Sequence, residues 1–242
     1  RQGQKLGRYD AVLPRIGASQ TSYGTAIVRQ FEMIGDFVIN KSDAIKSSRD
    51  KLRSLQVLAK HGIDMPITGY ASHTMDIHDV IEKVGKTPLI MKLLQGTQGN
   101  GMVLAETMKA AESVMNAFKQ VDADILIQEF IKESSGVDIR AIVVGKKVVA
   151  AMQRVAPEGE FRSNVHRGAA TKHINLTPEE EEIAIKSTKV LGLSVAGVDL
   201  MRSKRGPLVL EVNSSPGLQG IELLTGADVA GEVISFIESS LK

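Results

Sequence analysis

Apolar residues in this chain recur alternately at helical spacing and at strand spacing from one end to the other. Residues 23–34 place apolar side chains three or four positions apart, whereas 89–94 and 125–131 are short apolar runs. The first spacing builds one apolar face of a helix, and short apolar runs are typical of buried strands. No internal repeat or low-complexity tract interrupts the alternation. The pattern therefore predicts a mixed α and β protein.

Composition excludes several classes of protein. The chain has 242 residues, and its 30 Lys and Arg against 28 Asp and Glu give a net charge of +2, without the basic excess typical of nucleic-acid-binding chains. The absence of cysteine excludes disulfides, thiolate metal sites and cysteine nucleophiles. No apolar run is long enough for a membrane helix and no signal peptide is evident, so we expect a cytoplasmic protein.

Two carboxylates near the C-terminus carry the strongest chemical signal. Asp199 and Glu211 each interrupt a strand-like run, and Asn213 follows Glu211 on the same face. A hairpin centred on Arg205 would place Asp199 opposite Glu211, with Leu208, Leu210 and Val212 on the other face of their strand. Facing carboxylates repel each other, and a divalent cation reverses the sign. The alternative is a polar face open to water.

Lys92 lies in an apolar strand, and the glycine-rich segment 95–101 begins three residues later. A flexible backbone with free N–H groups beside a lysine suits polyphosphate binding. The segment lacks the Walker A pattern, because no Lys-Ser/Thr pair follows its last glycine, and a strand follows it instead of a helix. A solvated edge-strand lysine and a mobile hairpin tip are the alternatives.

A long polar segment, 155–175, is predicted to be a loop and contains the run Phe-Arg-Ser-Asn-Val-His-Arg-Gly at 161–168. Its cationic, amide and hydroxyl groups could clamp phosphate or developing negative charge, although a solvated basic loop would have the same composition. Glu129 and Asp138 stand at strand ends, where carboxylates are usually just solvated.

Taken together, these residues resemble those of ATP-grasp carboxylate–amine ligases and, within that superfamily, the RimK family of ribosomal protein glutamate ligases. The motifs that carry the resemblance are 12–17, 49–53, 92–101, 128–133, 138–140, 161–168, 197–199 and 211–217. The resemblance implies an α+β fold, the ATP-grasp fold, with two α+β subdomains gripping the nucleotide behind the remnant of an N-terminal α/β domain. It divides the chain into the end of that domain (1–40), the N-terminal or lid subdomain (41–130) and the C-terminal subdomain with the metal site (131–242). Because the chain opens on Arg1 without methionine, we expect most of the N-terminal domain to lie outside it.

The resemblance also implies a role for each residue of the site. The residues expected at the nucleotide phosphates are Lys51, Lys92, Gly96, Thr97, Gln98 and Gly99. Those expected around the adenine, the ribose and the rest of the nucleotide are Glu129, Phe130, Asp138, Arg162, Ser163 and Asn164. The expected ligands of Mg²⁺ or Mn²⁺, with two ions, are Asp199, Glu211 and Asn213. Arg167 is expected to stabilise the tetrahedral oxyanion, with Arg154 as second choice.

The implied chemistry is phosphoryl transfer from ATP to a carboxylate, followed by attack of an amine on the acyl phosphate. The acceptor is expected to be the C-terminus of a small-subunit ribosomal protein (the sixth), with L-glutamate as the amine and a tetramer as the assembly. Two alternatives stay open: a ligase that acts on a small-molecule, coenzyme or carrier-protein acceptor, and a nucleotide-binding module without turnover. RNA binding is disfavoured by an aromatic content of 4% without tryptophan.

Overall fold

The computed structural model describes residues 7–72, 77–94, 101–120, 123–163 and 168–242. Within these ranges the strands form sheets of two, four and five strands, and none of the helices is both long and apolar enough to cross a bilayer. The strands are β1 Ala11–Val12, β2 Phe37–Val38, β3 Thr68–Ala71, β4 Leu89–Leu93, β5 Met102–Ala105, β6 Ile125–Glu129, β7 Val137–Val144, β8 Lys147–Val155, β9 Ala170–His173, β10 Val195–Ser203 and β11 Gly206–Asn213. The helices are α1 Thr21–Met33, α2 Ser42–Arg49, α3 Lys51–Lys60, α4 Ile77–Val84, α5 Met108–Lys119, α6 Pro178–Val190, α7 Gln219–Thr225 and α8 Val229–Ser240.

Capping residues determine where several helices begin. The carboxylate of Asp50 accepts a hydrogen bond from the Arg53 N–H at 2.9 Å, and this cap separates α3 from α2. Thr177 and Glu180 form a capping box at the start of α6, since each side chain accepts from the backbone N–H of the other. These local bonds satisfy helix N–H groups that have no partner inside the helix.

The N-terminal segment is a strand–helix–strand unit. Strands β1 and β2 are parallel, with α1 as their connection. Buried Asn40 follows β2 and ties this unit to the five-stranded sheet. Its amide donates to the Val195 and Ser214 carbonyls at 2.7 and 3.1 Å, and its oxygen accepts from the Ser194 and Val195 N–H groups.

The four-stranded sheet is antiparallel in the order β3-β6-β4-β5. Helices α4 and α5 pack on one face, where Met91 and Ile127 belong to the core cluster. Because side chains alternate along a strand, Lys92 and Gln128 lie on the opposite face. That face is one wall of a cleft between the two larger sheets.

The five-stranded sheet is antiparallel in the order β11-β10-β7-β8-β9. Strand β9 lies within 155–175, so the prediction of one uninterrupted loop there is wrong. The strand has only four residues, Ala170–His173, and its sequence carries no apolar alternation. It forms because the edge of β8 offers ladder hydrogen bonds, with Thr171 opposite Arg154.

The β10–β11 hairpin turns at Lys204 and Arg205, since Ser203 pairs with Gly206. A plain two-residue turn would set Asp199 against Leu210. A β-bulge shifts the register between Asp199 and Leu200 and brings Asp199 opposite Glu211, as predicted. The bulge also overturns one prediction: Leu210 does not share the core face with Val212 but lines the cleft beside Glu211.

The larger core lies against the five-stranded sheet. Val143, Val198 and Val209 pack there with α6, and Ala44 of α2 and Leu58 of α3 join the same cluster. Helices α2 and α3 therefore pack on the five-stranded sheet, although they precede the four-stranded one along the chain. The division at residues 40 and 130 stays a prediction.

Candidate active site

Strand register assembles a row of charged side chains across the five-stranded sheet. Glu211 of β11 lies opposite Asp199 of β10, and Asp199 lies opposite Arg140 of β7. The guanidinium of Arg140 donates to both carboxylate oxygens of Asp199, at 2.7 and 2.6 Å. A cation therefore flanks Asp199 on one side and a second carboxylate on the other.

The next row along the same face extends this network. Asp138 of β7 lies opposite Arg154 of β8, and the Arg154 guanidinium donates to both Asp138 oxygens at 2.6 Å. Arg154 also approaches Asp199 Oδ2 at 2.9 Å, and the Ser163 hydroxyl donates to Asp138. Asp138, Arg154 and Asp199 are 6%, 3% and 2% exposed, so their ion pairs are shielded from water.

The two facing carboxyls have opposite pKa shifts. Burial alone would raise the pKa of Asp199, but Arg140 and Arg154 outweigh burial and hold that pKa well below its usual range. Burial raises the pKa of Glu211, and the charge of Asp199 raises it further. Glu211 keeps surface open to the cleft, but the cleft walls surround it closely enough to disfavour its charge.

The donor set fits a hard divalent cation, which would offset the repulsion between the two facing carboxylates. The Asn213 amide nitrogen donates to Glu211 Oε1 at 3.1 Å, which leaves the amide oxygen as its donor atom for a metal. The described ranges contain no group of three or more His, Cys, Asp and Glu side chains suited to a metal. Two carboxylates and one amide are the partial set that Mg²⁺ takes when substrate phosphates complete its shell.

A cleft of about 890 Å³, partly open to solvent, lies between the two larger sheets. Its charged lining includes Lys92, Arg154, Asp199 and Glu211. Its apolar lining is Pro66, Ile90, Met102, Phe130, Ile131, Phe161, Met201 and Leu210. Such a cleft can hold a ligand with a flat apolar part and an anionic part.

Lys92 lines the charged part of this cleft, and Lys51 lies close enough to interact electrostatically with Lys92 and Glu211. Lys92 Nζ donates to Gln128 Oε1 at 2.6 Å, and Lys51 Nζ donates to the Leu93 carbonyl at 2.7 Å. Burial lowers the pKa of Lys92 to about 8; Lys51 lowers it as well, whereas Glu211 opposes the shift. Burial also lowers the pKa of Lys51. Desolvated ammonium groups of this kind favour a polyanionic ligand.

The pKa of Lys92 predicts how phosphate binding depends on pH. Lys92 is protonated below about pH 8 and neutral above it. On the sequence-based expectation that Lys92 contacts the nucleotide phosphates, the affinity for ATP should fall as the pH rises through 8. Titrating a non-hydrolysable ATP analogue at about one pH unit on either side should give a dissociation constant several-fold higher at the upper pH. Lys92→Arg keeps its charge and should show a flatter profile. Equal profiles for the two proteins would contradict the assignment.

Glu129 joins the two larger sheets. Its Oε1 accepts from the Ile67 N–H at 2.7 Å, and Arg205 of the β10–β11 turn forms an ion pair with the same carboxylate. Phe130, next along the chain, lines the cleft. The backbone N–H of Glu129 is engaged as well, since it donates to the Ile67 carbonyl at 2.9 Å.

The other predicted residues differ in their surroundings. Arg162 and Ser163 line the cleft. The Arg162 guanidinium bonds to both oxygens of Glu160 and holds the pKa of that carboxyl down at about 2. The predicted residues that lie outside the described ranges are Gly96, Thr97, Gln98, Gly99, Asn164 and Arg167.

Sequence reasoning assigned no role to Arg140 or Gln128, which hold Asp199 and Lys92. Arg140 stands two residues after Asp138, so alternation alone puts both on one face. The alternation can be read from the sequence, but the pairing of β7 with β10, which places Arg140 opposite Asp199, cannot.

Comparisons with known proteins identify the family. The model of the RimK-like ATP-grasp domain matches residues 48–237, and that of the RimK pre-ATP-grasp domain matches residues 1–45. A probable alpha-L-glutamate ligase of Coxiella burnetii is 65% identical over 240 residues, which are 99% of this chain and 80% of the relative.

Solved structures share the fold at low identity. The ATP-grasp ligase PsnB, complexed with minimal precursor, Mg and ADP, matches with a TM-score of 0.75 at 20% identity over 99% of this chain and 80% of PsnB. The D-alanine–D-alanine ligase of Bacillus anthracis complexed with ATP matches with a TM-score of 0.73 at 22% identity, over 96% of this chain and 79% of that ligase. The ATP-grasp fold expected from the sequence is confirmed. The chain belongs to the RimK-like ATP-grasp family and is an ADP-forming ligase that joins an acid to an amino acid.

Proposed function

We propose that the protein adds L-glutamate to the C-terminus of a small-subunit ribosomal protein (the sixth) in the cytoplasm, through an acyl phosphate. The observation that carries the proposal is the pair of facing carboxyls, Asp199 and Glu211, at the charged part of a cleft that also holds Lys92. Lys51 and Lys92 hold the ATP phosphates, and Asp199, Glu211 and Asn213 hold magnesium, with two ions when ATP is bound. Magnesium supplies neutralisation of phosphate charge.

The reaction proceeds in two steps. An oxygen of the acceptor carboxylate attacks the γ-phosphorus of ATP, and the bond to ADP breaks. The amine of L-glutamate then attacks the acyl carbon, loses a proton and expels phosphate, which leaves an amide. Positioning and charge neutralisation provide most of the acceleration, because phosphoryl transfer requires little covalent work from the protein.

The nucleotide and the oxyanion are assigned as follows. Glu129 and Phe130 contact the adenine, and Asp138 contacts the ribose. The remaining nucleotide contacts are made by Arg162, Ser163 and Asn164. The glycine-rich segment contacts the phosphates through Gly96, Thr97, Gln98 and Gly99. Arg167 stabilises the oxyanion, and Arg154 is the second choice. Because Arg154 already binds Asp138 and Asp199, we expect it to act mainly by holding the network. Arg167→Ala should lower turnover by about two to three orders of magnitude while ATP still binds.

Two observations support this function over the alternatives. The relative from Coxiella burnetii is named for glutamate ligation, which supports L-glutamate as the amine. A non-catalytic module would be expected to have lost a metal ligand, and here Asp199, Glu211 and Asn213 are all present. A tetrameric assembly, as in related ligases, belongs to the same proposal.

Intact-mass spectrometry of ribosomal proteins tests the acceptor. The protein would be incubated with ATP, Mg²⁺, L-glutamate and purified small ribosomal subunits, and reactions without ATP serve as controls. We expect one ribosomal protein to gain a ladder of masses spaced by one glutamate residue. ADP release with unchanged ribosomal masses would contradict the ribosomal acceptor and favour a small-molecule one.

A further inference from the structure

Arg49, at the end of α2, is a half-buried cation that is bound only to neutral groups. Its guanidinium donates to the Ile16 and Gly17 carbonyls, to the Thr21 hydroxyl at 2.7 Å and to Ser215 Oγ at 3.4 Å. Burial lowers its pKa. In the part of the chain that the structure describes, no carboxylate forms an ion pair with it. A desolvated cation of this kind favours an anion nearby.

Arg15 lies on the segment that Arg49 holds. Its Nη2 donates to the Pro216 carbonyl at 2.6 Å, and its side chain is otherwise exposed. Among the described residues it forms no ion pair, so most of its five N–H donors face solvent. The loop that carries Arg15 is thus fastened to the segment 215–216 by two arginines.

The segment that follows β11 locates Arg15 and Arg49 relative to the carboxyls of Asp199 and Glu211. Leu210 and Glu211 line the cleft, and Asn213 is the last residue of the strand. The chain bends at 214–215, and Pro216 packs against Gly197, which pairs with Asn213 and stands two residues before Asp199 on the same face of β10. Arg15 and Arg49, which contact Pro216 and Ser215, therefore lie at the Asn213 end of the carboxyl pair, on the side away from the apolar lining at Met201 and Leu210.

We infer that Arg15 binds a carboxylate of the amino-acid substrate, an inference that rests on the proposed function. In the proposed function the nucleotide occupies the cleft on the Leu210 side of Glu211, so the amine must reach the acyl phosphate, which forms at the γ-phosphate, from the other side. L-glutamate carries two carboxylates, neither of which reacts in the step in which its amine is the nucleophile. An exposed guanidinium with a planar fork of donors binds a carboxylate through two parallel hydrogen bonds. Of the two arginines, Arg15 is the one whose donors are open to solvent.

Substrate amides identify the contact. Arg15→Met should raise the KM for L-glutamate about tenfold or more, because charge-assisted hydrogen bonds are lost, with the KM for ATP unchanged. Arg15→Lys keeps the charge, so its KM for L-glutamate should lie between those of the wild type and Arg15→Met. L-glutamine and isoglutamine each replace one carboxylate by an amide. The wild type should discriminate against the amide at the recognised carboxylate, and Arg15→Met should not.

Arg29→Met is the matched control, because Arg29 lies in the same N-terminal unit and its pair with Asp43 is exposed. Calorimetric titration of L-glutamate into protein with Mg²⁺ and ADP gives a readout that needs no acceptor. If the wild type neither binds nor ligates L-glutamate, the proposed function fails and the inference with it. If the wild type does both and Arg15→Met keeps its KM for glutamate, shows a higher KM for the acceptor alone, or loses only kcat, the inference alone is wrong.

Discussion

Asp199→Asn is expected to lower the free energy of unfolding by about 3 kcal/mol, because it removes the shared countercharge of two arginines from a buried network. Arg140 binds both Asp199 oxygens, and Arg154 approaches the same carboxylate at 2.9 Å. Without the Asp199 carboxylate, Arg140 has no carboxylate partner of similar geometry in the described ranges. Urea unfolding at neutral pH measures the effect.

The pH dependence of stability gives a second readout for Asp199. Its pKa is lower in the folded than in the unfolded protein, so its contribution is fully present above the unfolded pKa of about 4 and is lost as the pH falls below it. Asp199→Asn should therefore lose less stability than the wild type on acidification. Glu232→Gln is the control, since Glu232 pairs with Lys147 on the surface and its loss should cost less than about 1 kcal/mol. Equal losses in the two variants would contradict a buried network.

Glu211→Gln should differ from Asp199→Asn, because it should lose turnover and keep its free energy of unfolding. Burial and Asp199 raise the pKa of Glu211 in the folded protein, so the fold itself favours the neutral form at this position. A neutral amide should leave the free energy of unfolding unchanged or raise it. Turnover should fall by about 10²–10⁴-fold, because a ligand of the charge-neutralising cation is gone.

The two variants together separate structure from chemistry at adjacent positions of one ladder. ADP formation and urea unfolding would be measured on the same preparations. If Glu211→Gln unfolds as readily as Asp199→Asn, Glu211 is a structural member of the network. If it keeps wild-type turnover, the cation is held elsewhere.

Much of the site could be predicted because its signals are local. Alternation along β11 put Glu211 and Asn213 on one face, and the short connection to β10 placed Asp199 opposite Glu211. The β-bulge was not predictable, because no glycine or proline marks it, and it moved Leu210 from the core face to the cleft. The facing of the two carboxyls was thus correctly predicted, although the turn is one position shorter than assumed.

The partners of the site residues could not be predicted, because they depend on pairing between distant segments. Arg140 and Asp199 are 59 residues apart in the chain, and Lys92 and Gln128 are 36 apart. Strand order decides which segments meet, and apolar periodicity does not encode that order. The short edge strand β9 was missed for the same reason, since the adjacent β8 determines its structure.

Arg15 and Arg49 belong to the same class of residue. Both stand in motifs that the sequence displays, 12–17 and 49–53, yet neither motif shows what it contacts. Arg49 contacts Ser215, which lies 166 residues later in the chain, and Arg15 contacts Pro216, which lies 201 residues later. Only the folded chain shows that these motifs lie beyond the carboxyl pair.

The magnesium dependence of ATP binding tests the central claim most directly, because it needs neither an acceptor nor turnover. A non-hydrolysable ATP analogue would be titrated calorimetrically into the wild type and Glu211→Gln, with and without Mg²⁺. We predict that Mg²⁺ strengthens binding to the wild type by about tenfold or more and leaves the affinity of the variant nearly unchanged. An equal gain from Mg²⁺ in both proteins would contradict the assignment of Asp199, Glu211 and Asn213 as the metal-binding end of the nucleotide cleft.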